Sequence, residues 1–252
     1  MGYEVTKEIA KSLRLYRPAR WVNRHVINRQ SLRLFREEIH FYSQLVGHGD
    51  LCFDVGANNG VKAEVLLRLG ATVVAFEPQR ECREEMFRRL GRDRCLTIVG
   101  AALASQTGTA EFFVNPERTA SSFVRHWQGE SATSVIAETT TLDEAITAHG
   151  IPKYCKIDVE GFEVEVIKGL SHQIPLVSFE YHLSRPAGKA AALECLDRLG
   201  RFGDILVNIC AAERPKFARP NWVRRPEFTE ILVHQLSDQN EFCYGDIFVK
   251  YA

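Results

Sequence analysis

The chain has 252 residues, a formal net charge of +0, 45% apolar residues and seven cysteines. This length and apolar content suit one α/β domain with additions, and the balanced charge gives no support for binding to nucleic acid. The odd cysteine count without a C-x-x-C pair favours reduced thiols over a disulfide scaffold or a zinc site. No apolar stretch approaches the ~20 residues that cross a bilayer, and the N-terminus lacks the apolar region of a signal peptide, so we expect a cytoplasmic protein.

The first segment of the chain is basic and has a helical pattern. Apolar residues recur at three- and four-residue steps over residues 4–46, which predicts two helices broken near Pro18 within an N-terminal helical extension, residues 1–48. Between Glu8 and Glu37 the basic residues are accompanied by no acidic residue. Such a run is typical of a solvated helical face, and it also suits docking to an anionic substrate or to lipid head groups as a peripheral membrane contact.

The main domain, predicted over residues 49–252, begins with a short apolar strand that ends near Asp54 and leads into a Gly-Ala-Asn-Asn-Gly loop. Gly56 and Gly60 permit left-handed backbone angles and let a ligand approach the main chain. The following helix directs unpaired N–H groups at the loop, which favours a phosphate or a carboxylate there. The loop is either a tight connection or a cofactor site formed by Asp54, Gly56, Ala57, Asn58 and Gly60.

Glu77 favours the cofactor site because it ends the next apolar strand, about 20 residues after the glycine loop. A carboxylate at this place can accept hydrogen bonds from both hydroxyls of a ribose. Dinucleotide-binding loops carry a glycine where this chain has Asn58, which disfavours a nicotinamide-dependent oxidoreductase. A cofactor with a ribose and a carboxylate but no phosphate fits better, so we predict S-adenosyl-L-methionine, with S-adenosyl-L-homocysteine as product. Ala102, near the tip of a third strand predicted at 96–103, is either a core residue or a contact of the adenine ring.

The remaining pattern alternates between strands and helices. It predicts a paired set of strands at 109–114 and 134–139, helices after most of the other strands, closing strands at 204–210 and 245–251, and an unplaced candidate strand at 230–234. A proline- and arginine-rich surface loop is predicted over residues 211–228. The alternation indicates a mostly parallel sheet with helices on both faces.

A second polar group follows the strand predicted around residues 154–157. Asp158 and Glu160 come directly after it, and His182 follows the next strand. Because parallel strands end at one edge of a sheet, all three are candidates for the base that takes a proton from an acceptor hydroxyl. Ordinary alternatives are a turn or pocket-lining role for the carboxylates and a backbone hydrogen bond for the histidine. We predict no metal site; the alternative is a divalent cation held by the carboxylate pair with Glu180 or His182.

Four stretches together resemble the FkbM family of S-adenosylmethionine-dependent methyltransferases. They are F-D-V-G-A-N-N-G at 53–60, V-A-F-E-P at 74–78, T-T-L-D-E at 140–144 and K-I-D-V-E-G-F-E at 156–163. The resemblance implies the class I methyltransferase (Rossmann-like) fold, with a seven-stranded sheet whose last strand is antiparallel. It also implies O-methylation of a hydroxyl on a sugar, a glycolipid precursor or a natural product. The alternative of another class is a module that binds the cofactor or a partner without catalysis, against which the carboxylates at several strand ends argue.

The partner of such an enzyme is a small-molecule or glycan acceptor, and homo-oligomers are compatible with the sequence. Arginine is concentrated in residues 11–36 and 211–228, the two segments that the family pattern does not cover. If both fold over the carboxyl edge of the sheet, they form a positive rim that includes Arg224 and Arg225 and suits an anionic acceptor.

Overall fold

The computed structural model describes residues 28–114, 121–124, 133–185, 187–212, 214–233 and 243–252. The helices are α1 (Asn28–Tyr42), α2 (Val61–Arg68), α3 (Arg80–Leu90), α4 (Leu142–His149), α5 (Glu163–Lys168), α6 (Gly188–Leu199) and α7 (Arg225–Ile231). The strands are β1 (Leu51–Val55), β2 (Thr72–Phe76), β3 (Leu96–Val99), β4 (Ala102–Leu103), β5 (Gly108–Val114), β6 (Thr133–Thr140), β7 (Tyr154–Ile157), β8 (Leu176–His182), β9 (Ile205–Ala211), β10 (Val223–Arg224) and β11 (Tyr244–Tyr251). The first of the two predicted N-terminal helices lies outside the described residues, and α1 corresponds to the second.

The main sheet has the strand order β10-β9-β11-β8-β7-β1-β2-β3. Strand β11 is antiparallel to both β8 and β9, while β1, β2, β3, β7 and β8 are parallel to their neighbours in that group. The predicted α/β fold, with a mostly parallel sheet and an antiparallel last strand, is confirmed. The two-residue strand β10 adds an eighth strand at one edge.

Three parts of the sequence differ from their predicted form. The strand predicted at 96–103 leaves the main sheet after Val99, and its end forms β4 in a second sheet of order β4-β6-β5. The predicted pairing of β5 with β6 is confirmed. The candidate strand at 230–234 is wrong in its described part, because helix α7 runs through Ile231. A proline lies in the first turn of α7, where its missing N–H would have had no partner within the helix. Strand β10 and the first turn of α7 also lie within the predicted 211–228 loop.

Two layers of apolar side chains bury the sheet. One contains α4, α5, α6 and α7, and the other contains α2 and the end of α1. In the second layer Phe41 contacts Phe248 edge-on at 5.6 Å, and Tyr42 lies 5.8 Å from the ring of Tyr154. The end of helix α1 is therefore fixed against the face of the sheet at β7 and β11. In the described part of the chain, every helix is too short or too polar to span a bilayer.

Candidate active site

The glycine loop after β1 lies between β2 and β7, the two parallel neighbours of β1, where open α/β sheets bind their ligands. Gly56 has φ +79, and a Cβ on it would lie 1.8 Å from the backbone oxygen of Asp158. Gly60 has φ +81 and packs against Met86, with which a Cβ would collide. Both positions require glycine, and the loop is held directly against the turn that follows β7.

Asp54 is a fully buried carboxylate beneath this loop. Neither of its oxygens makes a well-formed hydrogen bond to a described residue, although the nearby N–H of Ala63 helps to lower its pKa. Burial raises the pKa of Asp54, against the charges of Lys156 and Lys62. An unpaired buried carboxylate is costly, so the site suits a cationic or hydrogen-bond-donating ligand group.

Glu77 lies at the end of β2 and is 3% exposed. One of its carboxylate oxygens accepts a hydrogen bond from the N–H of Asn58, and the other accepts one from the N–H of Gln79, both at 2.8 Å. Burial raises its pKa to about 6, although these two hydrogen bonds oppose the rise. Each oxygen keeps a second acceptor direction, so Glu77 can bind two hydroxyls while it holds the glycine loop in place.

A cavity beside Glu77 is enclosed by the ends of β1, β2, β4 and β7 and by the capping segment, residues 121–124. Its lining includes six of the predicted site residues: Gly56, Asn58, Glu77, Ala102, Asp158 and Glu160. Ser122 Oγ donates a hydrogen bond to the backbone oxygen of Glu160 at 2.7 Å, and Phe123 stacks on Phe162 at 4.8 Å. The capping segment thus closes a pocket of mixed polar and apolar lining, which suits a nucleoside.

A second, wider cavity of about 1040 Å³ opens on the other side of the same loop, enough for a small ligand. Asp54, Ala57, Asp158, Glu160 and His182 line it, so the glycine loop separates two connected compartments. Asp158 pairs with Lys156, whose Nζ lies 2.6 Å from Asp158 Oδ2. Burial opposes the ionised form of Asp158, but the charge and hydrogen bond of Lys156 outweigh it and hold the pKa below its usual value.

Glu160, Glu180 and His182 come together at the floor of this cavity, with one potential ligand atom from each within 4.8 Å of the others. Burial, with the neighbouring charges of Asp158 and Glu160, raises the pKa of Glu180 to about 11, so its carboxyl group is protonated at neutral pH. His182 Nε2 lies 3.0 Å from Glu180 Oε2, and burial lowers the pKa of His182. The lowered pKa favours the neutral imidazole of His182, the form that can accept a proton.

The loop that carries Glu160 has an unusual backbone. Glu160 adopts φ +54, a left-handed conformation that is rare outside glycine, and Gly161 follows at φ +93. Glu163 holds this turn, because its Oε1 accepts hydrogen bonds from the N–H groups of Val159 and Gly161. Asn58, on the facing glycine loop, also has a positive φ of +49. The two loops that border the site thus share a strained form at their tips.

One sequence-based expectation about the rim is wrong. Arg224 pairs with Leu206 of β9, at the amino end of that strand, and lies 3.6 Å from Asp204. Arg225 forms an ion pair with Asp197 at 2.6 Å. Both arginines are therefore at the opposite edge of the sheet from the site, because β10 is antiparallel to β9 and returns the chain to that end.

Two residues of the site were missed from the sequence. Lys156 and Asp158 are two positions apart, and residues with that spacing on a strand share a face, so their pairing had a signal in the sequence. Lys62, which had no such signal, pairs with Glu38 of α1 and lies 4.7 Å from the centre of the Tyr42 ring. It thereby ties α1 to the helix that follows the glycine loop.

The chain is similar to several known proteins. A relative from Haloferax volcanii, the hexuronic acid methyltransferase AglP, is 28% identical to this chain over 153 residues. The match covers 60% of this chain and 62% of AglP, so the chain spans less than two thirds of the length of that relative. The solved structure of precorrin-6y C5,15-methyltransferase from Geobacter metallireducens has a TM-score of 0.45 at 11% identity, covering 85% of this chain and 86% of that one. Aeropyrum pernix fibrillarin with bound S-adenosyl-L-methionine has a TM-score of 0.46 at 7% identity, covering 86% and 75%.

The family comparison covers most of the elements around the two compartments, but neither α1 nor β11, which also line the wider cavity. The model of the methyltransferase FkbM domain matches residues 54–212, which is more than half of the chain and runs from Asp54 to the residue after β9. This match confirms the resemblance carried by the glycine loop and the Asp-Val-Glu-Gly turn. The chain belongs to the FkbM methyltransferase domain family.

Proposed function

We propose that this chain is an S-adenosylmethionine-dependent O-methyltransferase that acts on a hydroxyl of a sugar, a glycolipid precursor or a natural product. The observation that carries the proposal is the junction of the two compartments, where a buried unpaired carboxylate, Asp54, and the cluster of Glu160, Glu180 and His182 face one cavity. The first group suits a cationic cofactor, and the second suits proton removal from an acceptor.

The chain's own groups fit S-adenosyl-L-methionine. Glu77 has free acceptor directions for the two ribose hydroxyls, and Ala102 and Phe123 line the same enclosed pocket as Glu77, where an adenine ring has room. Asp54 supplies the negative charge that a cationic ligand group needs inside a buried site. The backbone of Gly56, which has no room for a Cβ, allows close approach of a ligand to the main chain. When bound, the cofactor supplies an electrophilic methyl group for an in-line displacement.

The chain's contribution to the reaction is positioning and proton removal. Glu160 or His182 would take the proton of the acceptor hydroxyl, so that the hydroxyl oxygen could accept the methyl group that the bound cofactor would supply. Lys156 lowers the pKa of Asp158, so Asp158 is a weak base. We assign it a positioning role: its negative charge holds Lys156 in place and orients the acceptor hydroxyl. Glu180, protonated at neutral pH, hydrogen-bonds to Asp158 and helps to keep the pKa of Asp158 low.

The relative from Haloferax volcanii supports a sugar acid as a first acceptor to test, because its name gives hexuronic acid as its acceptor class. We expect transfer of labelled methyl from S-adenosyl-L-methionine to glycosides of uronic acids or neutral sugars. Alkaline treatment separates the two products that a uronic acid can give, since a methyl ester is hydrolysed and a methyl ether is stable. Retention of label after alkali supports O-methylation at a hydroxyl; complete loss would place the methyl on a carboxylate and contradict the proposal.

A further inference from the structure

A groove lined by both basic and apolar side chains lies beside the wider cavity. We call that wider cavity the acceptor cavity, because the proposed acceptor binds there. The groove runs between α1 and the basic loop segment, residues 214–220, which follows β9. Its described lining contains five basic side chains and one carboxylate: Arg33, Arg36, Arg214, Lys216, Arg219 and Glu37. Arg33 pairs with Glu37 at 2.8 Å, whereas Arg36, Lys216 and Arg219 have no ionic partner among the residues that the structure describes. The groove therefore carries uncompensated positive charge.

Aliphatic surface lies next to these charges. Leu32 and Leu34 of α1 are 49% and 47% exposed and line the groove together with Pro215 and Pro220. Both leucines are about half exposed on a helix that otherwise buries its apolar face, whereas a solvated face is expected to be polar. A ligand with an aliphatic part and an anionic part matches both features.

The basic loop segment is fixed in place. The ring of Phe217 contacts those of Phe41, Trp222 and Phe248 at 4.9–5.2 Å. Asn208 Nδ2 donates a hydrogen bond to the backbone oxygen of Arg219 at 3.1 Å. The N–H of Ala218 donates one to the backbone oxygen of Ile209. The cations are thus held on a rigid wall, which lowers the entropic cost of binding an anion.

The groove continues into the acceptor cavity. Leu32, Leu34, Phe41, Arg214 and Pro215 line both spaces. A molecule that occupies the groove can therefore extend to the cavity that Glu160 and His182 line. This continuity distinguishes the groove from a separate surface site.

We infer that the groove binds the lipid phosphate of a lipid-linked glycan acceptor, with the phosphate between Arg36, Lys216 and Arg219 and the start of the aliphatic chain on Leu32 and Leu34. Arginine matches phosphate oxygens by its planar fork. A nucleotide-linked sugar would need an open aromatic face for its base, but among the described groove residues Phe41 is buried and Phe217 is surrounded by three aromatic rings. The inference rests on the proposed function because it names the acceptor of the same site.

The test uses dodecyl phosphate below its micelle concentration as the probe, titrated into the full chain by calorimetry. Inorganic phosphate carries the charge without the chain, and dodecyl maltoside carries the chain without the charge. We expect only dodecyl phosphate to bind well, and we expect the triple change Arg36→Ala, Lys216→Ala, Arg219→Ala to weaken it by roughly 5- to 100-fold, the sum of three exposed ion pairs. The matched control is Arg224→Ala, Arg225→Ala, on the opposite edge of the sheet, which should not change the affinity.

Equal binding of inorganic phosphate or of dodecyl maltoside would overturn the inference, as would equal weakening by the control variant. Titration of S-adenosyl-L-homocysteine into the same samples verifies that each variant is folded and separates the two proposals. A chain that binds S-adenosyl-L-homocysteine but not dodecyl phosphate overturns the groove inference alone. A chain that binds both ligands but transfers no methyl group to any hydroxyl overturns the proposed function alone.

Discussion

The two compartments of the site are built by different means. On the cofactor side, backbone geometry decides the shape: Gly56 admits no Cβ, and Glu77 is held by two backbone N–H groups. On the acceptor side, charged side chains determine the properties of the site. Burial and neighbouring charges shift the pKa values of four residues there: Lys156, Asp158, Glu180 and His182. The difference implies that the first compartment responds most strongly to changes of backbone geometry, and the second to changes of charge.

The largest expected effect is on the chemical step. Glu160→Gln and His182→Asn each remove a candidate base, and the one that takes the proton should lower kcat by about two to four orders of magnitude. The dissociation constant of S-adenosyl-L-homocysteine should remain within a factor of about two, since neither change affects Glu77 or the glycine loop. Single-turnover methyl transfer and calorimetry measure the two quantities. Glu165→Gln, which removes an exposed partner of Lys168, is the control. Normal turnover in both variants would remove these residues from the mechanism.

Gly56→Ala probes the backbone-built side. A methyl group there meets the oxygen of Asp158 and also forces an alanine into a left-handed conformation. We expect the free energy of unfolding to fall by about 2–5 kcal/mol, the sum of conformational and packing costs. Gly49→Ala is the matched control, because Gly49 has φ +82 with nothing within 4 Å, and should cost only about 1–2 kcal/mol. Urea unfolding measures both, and equal losses would show that the contact with Asp158 is unimportant.

Asp158→Asn probes the charge-built side. It removes the one carboxylate that lies in hydrogen-bond contact with the buried ammonium of Lys156 and leaves only the charges of Asp54 and Asp246 nearby among the described residues, so we expect a loss of about 1–3 kcal/mol in the free energy of unfolding. The double change Lys156→Met, Asp158→Asn should recover most of that loss, because it removes the uncompensated charge. No recovery in the double variant would mean that Asp158 acts through hydrogen bonds rather than through Lys156.

Glu77 gives a pH dependence. In the folded state its pKa is about 6, above the ordinary value for glutamate. As the pH falls, Glu77 is therefore protonated in the folded chain at a higher pH than in the unfolded chain, and its carboxylate form is lost through about pH 6. Ribose hydroxyls need acceptor oxygens, so the affinity for S-adenosyl-L-homocysteine should weaken below that pH. Glu77→Gln should weaken the affinity for S-adenosyl-L-homocysteine by about 10- to 100-fold at pH 7.5, because its amide NH2 would face the backbone N–H of Asn58 or Gln79, donor against donor. The same change should also flatten the pH profile. A wild-type profile that stays flat from pH 8 to 5 would contradict this role.

Metal removal is the smallest expected effect. We found no dedicated metal-binding motif in the sequence. In the cluster of Glu160, Glu180 and His182, protonation of Glu180 removes a negative charge that a cation would need. We therefore expect unchanged turnover after exhaustive chelation and dialysis. Loss of activity that a divalent cation restores would instead assign these three residues as ligands of that cation.

Several features of the fold and site were predictable because each depends on neighbouring residues in the chain. The glycine loop, the strand-end carboxylates and the parallel sheet are local patterns of this kind. The contacts that complete the site join distant segments: Lys62 with Glu38, Ser122 with Glu160, and the basic loop segment with α1. The wrong placement of Arg224 and Arg225 has the same origin. Their position depends on a two-residue strand, β10, that is too short to leave a pattern in the sequence.

The hydrogen bond from Ser122 to the backbone of Glu160 has a consequence for the order of release. The capping segment closes the nucleoside pocket, yet it is bonded to the loop that also borders the acceptor cavity. Departure of the spent cofactor therefore requires the acceptor loop to loosen, which a bound acceptor product would resist. The methylated product should leave first, and an excess of it should trap the spent cofactor on the enzyme and slow the steady-state rate without slowing the first turnover.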